Sequence, residues 1–450
     1  MKVNRDGELL YPITAEIDDA GELSIGGKSV IELVRKYGTP LYIVDKKTIV
    51  SRSNEYIDEF SARFDRFVVA FAIKAFNCLA ITELVYQSGL HMLVSTGGEL
   101  YLALKAGFNP DKILFHGNNK TAEEIGLARD SGVGLLVVDN FDELRLIDSL
   151  YGEKNRKARI LLRITPGIST STHEYIMTGQ IDVKFGFALW QDMAKDAVRL
   201  ALNIENVELK GFHSHIGSQL LSTEVYRKSV EVMVGFAGEV KREFGYVPEI
   251  LDFGGGLGIK YLREDKQLGV ASLADAISGS LDANLKRYGL SMPKVYVEPG
   301  RSIVGNSTVT AYTVGSIKKL PGVRNYVSVD GGMSDNLRVM LYGARYEALL
   351  ANRADEPAQA IFAVAGKHCE QGDVIIKEAR IPEPRIGDIL VTPSTGAYGY
   401  SMSNNYNLQP RPAAVMVENG RDYLIIKREE YSDLIRAHIS LKELKAGDKN

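Results

Sequence analysis

The chain has 450 residues, 45% hydrophobic and 25% charged, with a formal net charge of −3. That size and balance exclude a disordered chain and call for two or three globular domains. With no basic stripe there is no electrostatic footprint for nucleic acid, so a small-molecule ligand is expected. The N-terminus MKVNRDGELLYP lacks the apolar core of a signal peptide. No apolar run reaches the length of about 18 residues needed to cross a membrane. Cys78 and Cys369 are the only cysteines, so no disulfide framework and a cytoplasmic setting are expected.

In chain order, Tyr11-Pro12 and Gly26-Gly27 punctuate short strands, and Ser29 to Tyr37 is patterned as a helix. From about residue 40 to 300, apolar runs alternate with amphipathic stretches. The runs are Phe67 to Lys74, Leu90 to Val94, Ile113 to Phe115, Leu135 to Val138, Ile160 to Ile164, Leu209 to His213, Ile250 to Phe253 and Lys294 to Val297. Eight strand-helix units are what a (β/α)8 barrel requires; a doubly wound open sheet usually has fewer strands. Beyond residue 302 the texture turns β-branched and aromatic, with Asn419-Gly420 as a hairpin signal. The predicted architecture is α/β: a TIM-like barrel over 39–301, and a second β-rich domain from 1–38 and 302–450.

In a barrel, chemistry collects at the C-terminal strand ends. The first run, FVVAFAIK, ends on Lys74. A lysine there either snorkels to water or is desolvated into the nucleophilic amine that a Schiff base needs. Later runs lead into His116-Gly117-Asn118-Asn119-Lys120, Thr165-Pro166-Gly167, His213-Ser214-His215-Ile216-Gly217-Ser218-Gln219, Asp252-Phe253-Gly254-Gly255-Gly256-Leu257-Gly258 and Glu298-Pro299-Gly300-Arg301. Gly254, Gly255 and Gly256 let backbone N–H groups approach a phosphate, or form a flexible turn. Ile259 breaks the dinucleotide fingerprint, so a smaller phosphate cofactor fits better, with Ser218 and Arg301 as further donors. His213 and His215, at alternate positions, suggest a metal, but no third ligand has convincing spacing; His215 stacked on an aromatic cofactor is preferred. Glu298 either pairs with Arg301 or holds a proton on a pyridine nitrogen. In the second domain, Cys369 lies between His368 and Glu370, where a thiol could exchange a proton, while Arg338 and Tyr342 suit a carboxylate.

The motifs AIKAFN, FHGNNK, THEYI with KFG, HSHIGSQ, FGGGLG, EPGR, VDGGMSDNLR, GKHCEQGD and TGAYGYSMSNNYN occur in this order. In this the chain resembles the fold type III pyridoxal-phosphate-dependent decarboxylases, with their alanine-racemase-like architecture. The resemblance implies that Lys74 binds pyridoxal 5′-phosphate covalently and that His215 stacks on its ring. Ser218, the Gly254 to Gly256 loop, Gly300 and Arg301 would bind the cofactor, with Glu298 on the pyridinium. Arg301, Arg338, Tyr342, Glu370 and Tyr398 would contact substrate, Tyr398 also lying near the cofactor, and Cys369 would be the proton donor. It further implies a homodimer in which the Cys369 loop reaches the partner's active site. The implied reaction converts meso-2,6-diaminopimelate to L-lysine and CO2, the last step of lysine biosynthesis; sister enzymes act on ornithine, arginine or carboxynorspermidine. One departure is Leu93, where the family usually has an aspartate, so the surroundings of the cofactor lysine are expected to be drier.

Overall fold

A computed structural model of the chain describes residues 1–4, 8–168, 183–441 and 443–444. The THEYI motif at 172–176 lies outside the described residues. The N-terminal segment forms an antiparallel ribbon of β1 (Glu16–Ile17), β2 (Leu23–Ile25) and β3 (Lys28–Ser29). Gly26 and Gly27 turn β2 into β3 at φ 61° and 76°, a region that is costly for residues bearing a Cβ. Ser29 caps the helix Val30–Tyr37, its Oγ accepting the Ile31 and Glu32 N–H groups. β4 (Leu41–Asp45) follows, with every residue buried.

Next come β5 (Phe67–Ala72), β6 (His91–Val94), β7 (Ile113–Phe115), β8 (Leu135–Val138), β9 (Ala158–Thr165), β10 (Phe187–Ala188), β11 (Val207–His213), β12 (Ile250–Asp252) and β13 (Lys294–Val297). All but β10 make a closed ring of parallel strands, with β13 pairing to β5 and β8 to β9. These strands read as near-continuous apolar runs because parallel strands covered on both faces have no water-facing side. Val68, Ala70, Leu114, Leu135, Val137, Leu161, Ile250 and Tyr296 form one buried cluster drawn from six strands of the ring. All eight predicted runs are strands. The first stops at Ala72, whose N–H donates to Pro299 O at 3.0 Å, and Lys74 sits on the tight turn Ile73–Ala75.

The remaining strands are β14 (Thr308–Leu320), β15 (Arg324–Val329), β16 (Leu349–Leu350), β17 (Ala360–Ala365), β18 (Val374–Ile381), β19 (Ile389–Thr392), β20 (Ala413–Glu418) and β21 (Arg421–Ile426). They order as β18-β17-β15-β14-β4-β20-β21, with β19 also paired to β14. Asn419 and Gly420 at φ 49° and 75° close the β20–β21 hairpin, as the sequence predicts. The chain divides into two compact units, 1–46 with 307–450, and 47–306. The first boundary falls beyond the predicted 38/39 because β4 pairs with β14 and β20, which ties residues 41–45 to the β-rich unit.

Candidate active site

In the barrel unit the strand ends converge on Glu298, buried just past β13. His116 Nε2 lies 2.7 Å from Glu298 Oε1, and His213 Nε2 donates to Oε2 at 3.2 Å. The two rings meet edge-on, with centroids 4.8 Å apart. Burial drives the His116 pKa down to about 4 against the pull of Glu298, and lowers His213 in the same way. Desolvation works against the Glu298 carboxylate, but the two imidazoles outweigh it and hold the pKa well below the usual range. The site is therefore a carboxylate hydrogen-bonded by the His213 ring, with the His116 ring in close contact on its other oxygen.

His215 is half-buried, yet enclosed tightly enough that desolvation, then the charges of Lys74 and Arg163, push its pKa down to about 3. Lys74 is exposed, the first of the two fates its sequence leaves open: the apolar run that precedes it is buried, while the turn carries its own side chain into the open. Its charge acts on His215 and on Glu99, whose carboxyl is raised by burial. Leu93 is 5% exposed and paired in register with Ala72 and Leu114, so the wall beside the lysine turn is apolar there. Gly300 packs tightly on that turn, because a Cβ there would come within 3.1 Å of the Ala72 and Ala75 Cβ atoms.

The glycine loop is built for close approach. A Cβ on Gly254 would lie 2.7 Å from Ser214 O, on Gly255 2.2 Å from Glu298 O, and on Gly256 2.5 Å from Gly217 O. Gly254 N–H is committed to Asp252 Oδ1 at 2.8 Å. Ser218, exposed, accepts from Arg301 Nη2 at 3.0 Å, and Arg301 Nη1 donates to Tyr261 OH. Gly255→Ala is expected to destabilise the protein by about 2 kcal/mol or more, since the new Cβ meets backbone that cannot yield. The checks are its thermal midpoint and its cofactor content after dialysis.

His116, His213, Asp252 and Tyr261 belong to this cluster although sequence reasoning gave them no cofactor role. His116, His213 and Asp252 stand at or after strand ends in the sequence, His213 also as a metal candidate, while no sequence signal pointed to Tyr261. Lys120, from the same FHGNNK motif, turns away: its buried ammonium bonds Gly117 O, Val137 O and Glu143 Oε1 at 2.8, 2.7 and 2.5 Å. By the shifts above, the His116 and His215 rings are expected to remain neutral at about pH 5.5, a unit below the ordinary histidine value. Nitrogen-15 NMR of the labelled protein checks this, and titration of either ring near about pH 6.5 would contradict it.

The β-rich unit carries the other group. Arg338 is buried at the start of the short helix Arg338–Tyr342, its guanidinium donating to Tyr346 OH, while Tyr342 is 65% exposed. Cys369 is an exposed free thiol whose backbone N–H donates to Asn407 Oδ1 at 2.9 Å. Its neighbour His368 does not address the thiol, because its ring Nδ1 and backbone N–H both bond Asp373 Oδ2, at 2.8 and 2.9 Å. Asp373 also accepts Met333 N–H on Oδ1 at 2.7 Å, which anchors the loop. Glu370 is half-buried and accepts Gly372 N–H at 3.3 Å. Tyr398 is half-buried with φ 61°.

Residues 47–305 match the family model described as "Pyridoxal-dependent decarboxylase, pyridoxal binding domain". The chain is 44% identical to the diaminopimelate decarboxylase of Bacillus subtilis (strain 168), covering 95% of this chain and 98% of the relative. The chain belongs to the pyridoxal-dependent diaminopimelate decarboxylase family. The M. jannaschii diaminopimelate decarboxylase, solved in co-complex with L-lysine, superposes with TM-score 0.91 at 35% identity, covering 97% of this chain and all (100%) of that one. The Vibrio vulnificus lysine/ornithine decarboxylase complexed with putrescine shares the fold, at TM-score 0.72 and 20% identity, over 87% of this chain and 98% of its own.

The cofactor of this family is pyridoxal phosphate, and the barrel residues fit it. A loop that tolerates no Cβ, a hydroxyl and a guanidinium suit its phosphate. A buried carboxylate braced by imidazoles suits its ring nitrogen, and the exposed Lys74 amine suits its aldehyde.

Proposed function

We propose that this chain removes one carboxylate of meso-2,6-diaminopimelate, releasing CO2 and L-lysine. The observation that carries the reading is the L-lysine held by the M. jannaschii relative, together with the substrate motifs around Arg338, Cys369 and Glu370 in this sequence.

The chemistry supplied by bound pyridoxal phosphate is an electron sink for the pair left behind when CO2 departs. Lys74 would hold the cofactor through its amine. Ser218, Arg301 and the Gly254 to Gly256 loop bind its phosphate, with Gly300 packing the lysine turn against this end. His215 would face the cofactor ring, and Glu298 would hold a proton on its nitrogen. Arg338 and Tyr342, with Arg301, receive substrate carboxylate, Glu370 receives an ammonium, and Tyr398 lines the substrate end. Cys369 returns a proton to Cα. Arg338 disfavours ornithine or arginine, whose distal ends are only cationic.

The functional species is a homodimer that shares its active sites, each Cys369 loop serving the partner subunit. In support, Met340, Leu341, Tyr342, Tyr406 and Leu408 are exposed apolar or aromatic side chains in this unit. Among the described residues no helix is long and apolar enough to cross a membrane, which agrees with a cytoplasmic enzyme. The test is CO2 release from meso-diaminopimelate, ornithine, lysine and arginine, each supplied separately with pyridoxal phosphate. Release from meso-diaminopimelate alone is expected; release from ornithine or arginine but not from it would overturn the reading.

A further inference from the structure

We infer that Asp252 is a carboxylic acid rather than a carboxylate, and that its proton forms the hydrogen bond that orients Glu298. Asp252 is then a positioning residue, in an inference that rests on the role assigned above to Glu298.

Asp252 ends β12, is 0% exposed, and stands in register between His213 on β11 and Tyr296 on β13. Its Oδ1 accepts Gly254 N–H. Its Oδ2 is buried and meets no N–H or O–H donor among the described residues. Glu298 is its neighbour: it follows two residues after Tyr296, the register partner of Asp252 on β13, its N–H donates to Gly254 O at 2.8 Å, and its carboxyl acts on that of Asp252. Two acceptors in contact need a proton between them, and two buried carboxyls in contact cannot both ionise.

The surroundings decide which of them holds the proton. Glu298 has two imidazoles, His116 and His213. Asp252 has one backbone amide, and the cation facing it, Arg163, lies 3.8 Å from Asp139. His213 and Tyr296, its register partners on the neighbouring strands, and Glu298 are the other titratable groups beside it. Burial and the adjacent Glu298 charge raise Asp252 well above the usual range, while the imidazoles carry Glu298 the other way. The proton on Asp252 then leaves Glu298 fully charged toward the ring nitrogen and fixes its orientation. The same side chain, through Gly254, ties that carboxylate to the phosphate loop.

The test uses the holoenzyme and two variants. Asp252→Asn keeps both an acceptor for Gly254 and a donor for Glu298, so it is expected to retain kcat/KM within about threefold and to leave the pH titration of the cofactor absorbance in place. Asp252→Ala removes the donor and is expected to lose about 10- to 100-fold in kcat/KM. Infrared difference spectra of wild type against Asp252→Asn, recorded with and without cofactor at neutral pH, should show a protonated carboxyl C=O band that only the wild type has. This readout is independent of activity and of the folding of the alanine variant. Absence of the band, or a displaced cofactor titration in Asp252→Asn, overturns the inference. Loss of cofactor from the wild type itself would instead overturn the reading of the site.

Discussion

Lys74→Ala is expected to abolish the absorbance of covalently bound cofactor and to lower turnover by on the order of 10³-fold or more. The amine is exposed on the turn after β5, within electrostatic reach of His215 and Glu99. Lys120, the other strand-end lysine singled out by the sequence, cannot replace it, because its ammonium is sunk in a buried ion pair with Glu143 and two carbonyls. Lys74→Arg should fail equally, since a guanidinium stays protonated and cannot attack an aldehyde. Borohydride reduction of the wild type followed by peptide mass mapping should place the cofactor on Lys74. A labelled peptide containing any other lysine, or a covalently loaded Lys74→Ala protein, would sink the assignment.

Cys369→Ala is expected to keep the cofactor absorbance of the wild type while losing about 10²- to 10³-fold in turnover, the range of a missing proton donor. Folding should be untouched: the thiol is exposed, and Asp373, with its bonds to His368 and Met333, holds the loop without it. The two variants also test the proposed sharing of active sites. Mixing inactive Lys74→Ala with inactive Cys369→Ala should regain activity, because a mixed dimer can assemble one site with both residues intact. No recovery after subunit exchange, shown by sedimentation of tagged mixtures, would place both residues in the site of one chain.

The barrel was legible because buried parallel strands write themselves as apolar runs, and all eight appear where those runs lie. The Asn419-Gly420 hairpin was legible from backbone chemistry alone. The fate of polar residues beyond the strand ends was not, since it depends on partners distant in sequence. His116 and Lys120 share one motif, yet the first faces Glu298 and the second Glu143. His368 seemed a partner for the adjacent thiol, and Asp373 claims it instead. Burial or exposure of Lys74 could not be read from its apolar strand, and one turn beyond Ala72 is enough to expose it. β4 looked like part of the barrel region because an isolated apolar run does not say which sheet it will join.

That last strand bears on how the protein is made. β4 is fully buried between β14 and β20, yet it leaves the ribosome before the whole barrel, and its neighbours begin only at residues 308 and 413. At about 5–20 residues per second, its apolar LYIVD segment waits for roughly tens of seconds without a sheet to enter. Through that interval the nascent chain carries an apolar strand with no sheet partner yet made. Polar substitutions at Ile43 should therefore depress the finished protein's stability while easing its dependence on chaperones during synthesis.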